Sequence, residues 1–288
     1  MDDVVATGQL CRPARLAGLV DHLWNSTGII PERRERVLPT GTFELVLAFG
    51  DRHRLVGPDG LSVLPVASFG GLRASPFVLD HPDRCDTLGI VLRPAGAYAL
   101  LGRPLSEVSG LMLDGRDVVG KDVDELVERC AASPDPGDRF ALVGRWLMER
   151  FARARVPDRA VAWMAAEIER SGGERRVGAL QKETGLSKAR VIERFREQIG
   201  TRPKLYARLV RFRRVLDRLQ AGDVALTDIA LEAGYYDQAH MNAEFREFAG
   251  MSPTAFLAVL YRGGSGNTAR EPSGAGGAHE SIDAAAAG

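Results

Sequence analysis

The sequence predicts an α+β protein built from a β-rich N-terminal domain, a helical connector and an all-α C-terminal domain. Three observations lead to this prediction. Short Val- and Leu-rich runs separated by turn residues occupy the first part of the chain, and helical periodicity replaces them from Lys121 onwards. The last third contains a pattern that occurs twice. A chain of 288 residues that is 45% hydrophobic is long enough to form more than one hydrophobic core.

The β-rich domain is expected to span residues 1–120. Its clearest apolar runs lie at 43–49, 61–67 and 88–92, and the Gly, Pro and Asp residues between them favour turns. Pro94 is expected to begin a short helix, because the first helical turn leaves its N–H groups unbonded anyway. This pattern indicates an antiparallel barrel or sandwich with one or two inserted helices.

The helical connector is expected to span residues 121–173. Asp122 or Asp124 can cap its first helix, and apolar residues at spacings of three and four define a second. Asp158 begins a third helix, which the Ser-Gly-Gly sequence at 171–173 ends and which a linker then follows.

The last 26 residues, 263–288, contain seven glycines, seven alanines and no aromatic residue. Such a segment buries too little apolar surface to offset the entropy of ordering. We expect a disordered tail whose removal leaves the stability of the protein unchanged.

The repeated pattern lies within residues 174–262, and its landmarks recur about 50 residues apart. Each copy has a glycine turn, a buried aromatic residue, a terminating glycine and a proline that begins the next segment. The landmarks of the two copies are Gly185 and Gly234, Phe195 and Phe245, Gly200 and Gly250, and Pro203 and Pro253. Each copy therefore predicts a helix-turn-helix unit.

A long amphipathic linker helix from about Pro203 to Leu219 is expected to join the two units. Its apolar residues recur at spacings of three and four, and at 1.5 Å per residue it spans roughly 24 Å. With the half-widths of the flanking units, this separation approaches the roughly 34 Å turn of B-DNA. The second helix of each unit is thus expected to enter one of two successive major grooves.

Residues 174–262 resemble the DNA-binding domain of the AraC/XylS family of bacterial transcription regulators. The most diagnostic stretch is GYYDQAHMN at 234–242, followed by FR at 245–246 and GMSP at 250–253. The resemblance implies sequence-specific binding to double-stranded DNA.

Basic charge is concentrated in the first unit, although the whole chain has 38 basic and 38 acidic residues. Residues 174–219 hold 14 basic and five acidic side chains, whereas residues 220–262 hold two basic and six acidic ones. Phosphate affinity is therefore expected to come mainly from the first unit and the linker helix.

The first recognition helix has Ser187, Arg190 and Arg194 on a face away from its buried side. One arginine can bond guanine O6 and N7 together, so Arg190 and Arg194 are the base-contacting candidates. For any single arginine, a solvated surface charge is an equally good interpretation. The candidates for phosphate contact are Lys188, Arg196 and Arg202.

The second recognition helix is expected to contribute less to sequence specificity than the first. Its glutamine and asparagine can pair with adenine, whereas its alanines can only touch a thymine methyl group. Ala243 stands where many family members carry an arginine, and Glu193 of the first unit stands where the residue is often basic. His240 is interpreted as a packed residue, since no second metal ligand lies at a usable spacing. The candidates here are Gln238, Ala239, Asn242 and Ala243.

The resemblance also implies an N-terminal domain that binds an effector or dimerises, frequently on a cupin-like β-barrel. The segments at 89–102 and 37–41 resemble the sensor-like domain of some of these regulators, a domain of undefined role. Arg93 is a candidate for holding a carboxylate effector. A salt bridge at the barrel rim or a helix-capping role is the alternative that we favour for it.

The expected protein is a cytoplasmic transcription regulator, not an enzyme, with no cofactor and no metal site. RNA polymerase is an expected partner if the protein activates transcription. Homodimerisation stays open, because one chain carries both DNA-binding units. No apolar run is long enough to cross a membrane.

Two alternatives stay open. A metal-dependent enzyme fused to a DNA-binding module would need clustered histidines and a carboxylate, and only His22, His53 and His81 precede the DNA-binding part. A redox- or alkylation-sensing regulator would use Cys85 or Cys11, although cysteine is more often a small buried hydrophobic residue.

Overall fold

The computed structural model describes residues 7–30, 33–222, 225–260 and 268–270. Within these residues, strands come first and helices dominate from the middle of the chain onwards. The strands are β1 (Thr7–Cys11), β2 (Val20–Ile29), β3 (Arg34–Val37), β4 (Phe43–Ala48), β5 (Arg54–Gly57), β6 (Gly60–Val63), β7 (Ala67–Gly70), β8 (Phe77–Asp80), β9 (Arg84–Leu92), β10 (Met112–Asp114) and β11 (Thr268–Arg270). The α-helices are α1 (Pro94–Leu101), α2 (Gly115–Val119), α3 (Asp122–Ala131), α4 (Pro136–Phe151), α5 (Arg159–Arg170), α6 (Val177–Glu183), α7 (Lys188–Ile199), α8 (Pro203–Ala221), α9 (Leu226–Glu232), α10 (Gln238–Ala249) and α11 (Pro253–Val259).

The N-terminal part contains two antiparallel sheets. The six-stranded sheet has the order β1-β2-β9-β4-β7-β10, and the five-stranded sheet has the order β11-β3-β8-β5-β6. The predicted α+β class is confirmed, with a β-rich N-terminal domain and a helical C-terminal domain. The two sheets stay separate, so the sandwich alternative holds and the closed barrel does not.

Strand β4 shows why the larger sheet has two different faces. Phe43, Leu45 and Leu47 are fully buried, and Glu44 and Val46 alternate with them. Successive side chains of a strand point to opposite faces, so one face is apolar and the other is mixed. The apolar face is covered by helices, since the start of α2 lies against Leu45. The mixed face lines a cavity between the two sheets.

The helix boundaries agree with those predicted from the sequence, except at the N-cap of α3. Helix α1 begins at Pro94, and the Asp158 carboxylate caps α5 by accepting the Ala160 N–H at 3.1 Å. The prediction that Asp122 or Asp124 caps α3 is wrong, because the N-cap residue is Lys121. Both aspartates lie in the first turn instead, where their charge interacts favourably with the helix dipole.

The glycines at the end of α5 are held in place by helix α8. Gly173 has a φ of 80°, and a Cβ there would lie 2.2 Å from the carbonyl oxygen of Ala207 in α8. Only glycine fits this backbone conformation and this close approach. The helix stop was predicted correctly. The linker at this position packs against α8.

The two predicted helix-turn-helix units are present as α6–α7 and α9–α10, and α8 joins them. Recognition helices α7 and α10 have 12 residues each and begin after side-chain caps at Ser187 and Asp237. Both end at a glycine in the left-handed conformation, Gly200 or Gly250. Helix α8 continues two residues beyond the predicted end, to Ala221.

The expectation of a disordered tail at 263–288 is wrong for three residues. Thr268–Arg270 form β11, which pairs antiparallel with β3, and Thr268 and Ala269 are buried. Strand pairing over a long sequence separation supplies backbone hydrogen bonds and burial that composition alone does not indicate. The other residues of this segment lie outside the described part of the chain.

Candidate nucleic-acid interface and interior cavity

Helix α7 presents its predicted contact residues on the side away from the core. Val191 and Phe195 are buried, whereas Lys188, Arg190 and Arg196 are exposed. Ser187 is exposed too, and its Oγ accepts the Arg190 N–H at 3.4 Å as the helix N-cap. These side chains are therefore accessible to solvent on one side of α7.

Arg194 lies in a different environment from Arg190. Its guanidinium pairs with Asp158, the residue that caps α5, and its side chain is half-buried. Arg190 is exposed and forms no ion pair with any described residue. A base contact by Arg194 would require this ion pair to break, so the two arginines are not equivalent candidates.

The first unit has an exposed basic surface, and exposed basic side chains also occur at Lys204 of α8 and Arg246 of α10. We define the basic face by exposed side chains that form no ion pair within the described part of the chain: Arg176, Lys182, Lys188, Arg190 and Arg196. These residues flank the turn of the first unit and run along α7. Phosphate groups can approach this surface without displacing a carboxylate. Arg202, the remaining phosphate candidate, is also exposed.

The expectation that the linker helix supplies phosphate contacts stays a prediction, and the arginines of this helix are less available than the sequence alone indicates. Four arginines of α8 are engaged by carboxylates, which lowers their capacity to bind phosphate. Glu244 holds Arg208 at 2.7 Å and Arg211 at 3.7 Å. The other two pairs are Arg214 with Glu174 and Arg218 with Glu232.

Helix α10 presents mainly small and uncharged side chains. Ala239 and Ala243 are exposed, and Gln238 and Asn242 are half-buried. The Asn242 Oδ1 is buried with no hydrogen-bond partner among the described residues. His240 is exposed, its ring centre lies 5.3 Å from that of Tyr235 in an edge-on contact, and its backbone N–H donates to Asp237 at 2.7 Å in the turn.

Tyr236 is a candidate contact residue that the sequence analysis did not single out. Its side chain is 88% exposed, the largest exposure of any bulky apolar or aromatic residue in the described part of the chain. It precedes the N-cap of α10, at the turn of the second unit. A tyrosine hydroxyl at such a position can donate a hydrogen bond to a phosphate. The available signal was the second aromatic residue of the Gly-Tyr-Tyr sequence, since only the first is needed for the core.

Arg93 has the structural role that we favoured over effector binding. It is the N-cap residue of α1, and its guanidinium pairs with Asp21 at 3.0 Å and with Glu169 of α5 at 2.8 Å. Glu169 also accepts a hydrogen bond from the hydroxyl of Tyr206 in α8 at 2.5 Å. These contacts connect the N-terminal domain to the linker helix.

The interior cavity lies between the two sheets and has a volume of about 530 Å³. This volume is within the range of small-molecule sites in proteins. Its walls come from both sheets, from α8 through Arg213, Leu216, Asp217 and Gln220, and from β11 through Thr268 and Arg270. The cavity is therefore bounded by the two sheets and by α8.

Two buried hydrogen-bonded pairs lie in the cavity wall. The Trp24 indole N–H donates to Glu44 at 2.6 Å, and burial raises the pKa of this carboxyl. His22 Nδ1 lies 3.0 Å from Asp21. This hydrogen bond and the nearby arginines lower the pKa of Asp21 to about 2, although its burial acts in the opposite direction.

His53 and His81 also meet at the cavity, 2.9 Å apart between their Nδ1 atoms. His81 Nε2 lies 3.1 Å from Glu35 and donates to it, so His81 Nδ1 accepts and His53 Nδ1 donates. Burial and the neighbouring His81 lower the pKa of His53 to about 4. Because the two Nδ1 atoms bond each other, they do not converge on a common ion, and the described residues contain no cluster of three metal-ligating side chains.

Cys85 and Cys130 have environments that disfavour thiolate chemistry. Burial raises the pKa of Cys85, whose sulfur lies 3.5 Å from Ser26 Oγ. Burial raises the pKa of Cys130 to about 11. Cys11 is half-buried and forms no disulfide. A thiol with a raised pKa is a poor sensor of oxidants, because the thiolate is the reactive species.

Comparison with known proteins identifies two regions of the chain. Residues 180–258 match a helix-turn-helix domain family, and residues 11–114 match a domain of unknown function (DUF6597). Among functionally curated proteins, no sequence matches this chain.

Three solved structures are similar over part or most of the chain. An apo variant of ToxT from Vibrio cholerae is 11% identical to this chain and has a TM-score of 0.48. The aligned region covers 90% of this chain and 99% of the ToxT chain. Wild-type ToxT from Vibrio cholerae with bound unsaturated fatty acid is 9% identical, covers 89% and 96%, and has a TM-score of 0.47. The xylose-binding transcription activator XylR is 17% identical, with an aligned region that covers 38% of this chain and 29% of the XylR chain, and has a TM-score of 0.32.

No helix in the described ranges is long and apolar enough to span a membrane.

Proposed function

We propose that this chain is a DNA-binding transcription regulator whose helices α7 and α10 contact two successive major grooves, and that an effector or partner at the N-terminal domain controls this contact. The match of residues 180–258 to a helix-turn-helix domain family supports the proposal. The observation that carries the proposal is the equivalence of the two recognition helices. They have equal length, equivalent N-caps and equivalent glycine C-caps, 50 residues apart. A single chain thus holds both groove-binding helices on one rigid linker.

The two helices have different tasks in this proposal. Helix α7 supplies the affinity for phosphate and a guanine contact through Arg190, because the basic face surrounds it. Helix α10 supplies contacts to adenine and thymine through Gln238 and its exposed alanines. Arg246 is the exposed basic side chain of α10 and pairs with no described carboxylate, so α10 adds little electrostatic attraction.

Control by an effector is supported by a continuous set of contacts from the cavity to α8. Asp21 lines the cavity, Arg93 bonds Asp21 and Glu169, and Glu169 bonds Tyr206 of α8. An effector that changes the position of Asp21 changes the restraint on the linker helix. The mechanism is a population shift between arrangements of the two recognition helices, and it includes no catalytic step.

The test is selection from genomic DNA. Purified protein is incubated with sheared genomic fragments at moderate salt, and the retained fragments are sequenced. We expect enrichment of sites with two short blocks about one helical turn apart. Enrichment of a single block would contradict the two-groove arrangement, and no enrichment with or without extracts of the host cells would contradict the regulator proposal. Activation through RNA polymerase and dimerisation are then measured by transcription in vitro and by the mass of the DNA complex.

A further inference from the structure

Glu193 lies at the centre of the exposed face of recognition helix α7. Residues two apart on an α-helix are separated by about 200° around its axis, because each residue turns the chain by about 100°. Glu193 lies two residues after Val191 and two residues before Phe195, and both of these side chains are buried. It therefore points almost directly away from the core of the first unit, and its side chain is exposed.

The carboxylate of Glu193 forms no ion pair with a described residue, although basic side chains lie on both sides of it. Arg190 is three residues earlier, Arg196 is three residues later, and both are exposed. Residues three apart on a helix are close enough to pair. Glu183 of α6, in contrast, pairs with Arg175 at 2.6 Å. The oxygen atoms of Glu193 are thus available to a ligand that approaches α7.

A carboxylate at this position restricts which groups of DNA it can bond. An ionised carboxylate only accepts hydrogen bonds, and the phosphate oxygens, guanine O6 and N7 and thymine O4 are acceptors as well. The donors in the major groove are the amino groups of cytosine N4 and adenine N6. Adenine presents its acceptor N7 beside N6, and this atom repels a second carboxylate oxygen, whereas cytosine presents its donor alone. Cytosine is therefore the base that Glu193 fits best.

The equivalent position of the second unit also carries an exposed side chain, but one of different chemistry. Ala243 lies two residues before Phe245, as Glu193 lies two residues before Phe195, and the offset between the copies is 50 residues. Phe245 is buried and Ala243 is exposed. An alanine can touch a thymine methyl group but cannot accept a hydrogen bond from cytosine. The two units therefore differ at the position that faces most directly away from the core.

We propose that Glu193 determines base specificity in the first unit by accepting a hydrogen bond from the N4 amino group of a cytosine in the major groove. The inference rests on the proposed function and names one base of the site that α7 contacts. Arg190 attracts the duplex, whereas Glu193 excludes wrong sequences. At a base pair without a matching donor, its charge loses water and gains no hydrogen bond, which costs more than the bond itself contributes.

The test compares the wild-type chain with Glu193→Ala on a duplex library in which the first block of the site recovered from genomic DNA is randomised. We expect the wild-type chain to select cytosine at one position. Glu193→Ala should reduce that preference at least about fivefold, near the lower end of the discrimination that a good base contact gives. Preferences at the other positions should be unchanged. The fold is retained, because the side chain is exposed and alanine favours a helix.

Glu149→Ala is the matched control. Glu149 is an exposed carboxylate of α4 with no ion pair to a described residue, so its removal changes the net charge equally. It should leave every base preference unchanged.

N4-methylcytosine tests the hydrogen bond itself. Its amino nitrogen keeps one hydrogen for pairing with guanine and presents a methyl group to the groove in place of the second. Replacing the selected cytosine by this base should weaken binding of the wild-type chain at least about fivefold, again the lower end for a base contact. Glu193→Ala should bind the two duplexes equally.

The proposal is overturned if Glu193→Ala selects the same bases as the wild-type chain, if the affected base is not cytosine, or if methylation weakens both proteins equally. In each of these cases the wild-type chain still selects a site, so the proposed regulator function stands. If the wild-type chain selects no site, the proposed function fails and this inference fails with it.

Discussion

At the scale of single residues, Arg190 is the side chain on which sequence-specific binding is expected to depend most. It is exposed, it is on the contact side of α7, and its guanidinium is not paired with a described carboxylate. Arg190→Ala should weaken specific DNA binding by about 1–3 kcal/mol, the value of a bidentate arginine–guanine contact. Fluorescence anisotropy with a selected site and with a scrambled site of equal length measures this loss.

Arg145→Ala is the control for this prediction, because Arg145 is an exposed arginine of α4 with no ion pair to a described residue. It should leave DNA affinity unchanged. Adding Arg194→Ala to Arg190→Ala tests the second base-contacting candidate, and its Asp158 pair predicts a smaller further loss. Unaltered sequence preference in the double variant would show that another face of α7 contacts the bases.

The His53–His81 pair makes stability depend on pH in a defined window. The pKa of His53 is about 4 in the folded protein against an ordinary value of 6.5. As the pH falls from 6.5 towards 4, His53 is protonated in the unfolded chain but stays neutral in the folded chain. The free energy of unfolding should therefore fall by about 1.4 kcal/mol per pH unit, or about 2 kcal/mol between pH 6.5 and pH 5.

Urea unfolding at several pH values measures this dependence. His53→Asn keeps a donor toward His81 and removes the titrating group, so its stability should vary less with pH over the same window. The pKa of Glu44 is raised and acts in the opposite direction, but both proteins contain Glu44 and the comparison cancels it. Equal slopes in the two proteins would mean that folding does not lower the pKa of His53.

At the scale of elements, Glu244 joins the second helix-turn-helix unit to the linker helix. This carboxylate is 5% exposed, accepts the Tyr235 hydroxyl at 2.7 Å and holds Arg208 at 2.7 Å. Glu244→Ala leaves the Tyr235 hydroxyl and the half-buried Arg211 without their carboxylate partner and leaves Arg208 with Glu247 alone, so it should destabilise the domain by about 1–3 kcal/mol. Thermal unfolding followed by circular dichroism measures the loss.

The control for Glu244 is its neighbour Glu247, which pairs with the same Arg208 but is 57% exposed. Glu247→Ala should cost less than about 1 kcal/mol, because solvent screens exposed ion pairs. Similar losses in the two variants would mean that burial does not set the strength of this network.

The elements that the sequence predicted best are those whose ends are fixed locally. Glycine at the C-caps and proline at the first helical positions determine where α7, α8 and α10 begin and end, and these residues are visible in the sequence. The partners of charged side chains are not visible there. Arg208 and Arg190 look alike in the sequence, yet Arg208 is neutralised by a carboxylate 36 residues away and Arg190 is not. Strand β11 was missed for the same reason, since its stability comes from pairing with a distant strand.

At the scale of the whole molecule, the N-terminal domain contacts the C-terminal end of both recognition helices. A Cβ at Gly200 would lie 2.9 Å from the Phe43 ring, and a Cβ at Gly250 would lie 2.9 Å from the guanidinium of Arg36. These two glycines are the equivalent C-caps of α7 and α10. The relative placement of the recognition helices is therefore restrained at equivalent points by the domain that contains the cavity, and a change in that domain reaches both of them.

Strand β11 closes this arrangement from the C-terminal side, and its removal is expected to weaken it. Thr268–Arg270 pair with β3, and Ala269 also bridges to Leu260 just after α11. Deleting residues 268–288 should lower the free energy of unfolding by about 1–3 kcal/mol, through lost backbone hydrogen bonds and the uncovering of buried residues. Deleting only residues 271–288 keeps the strand and should leave thermal stability unchanged.

Calorimetry of the full chain and the two truncated chains distinguishes the structure from the expectation based on composition. If both truncations melt like the full chain, the segment is dispensable, as its glycine and alanine content suggests. If only the chain with the longer deletion melts at a lower temperature, the pairing of β11 with β3 and Leu260 stabilises the protein.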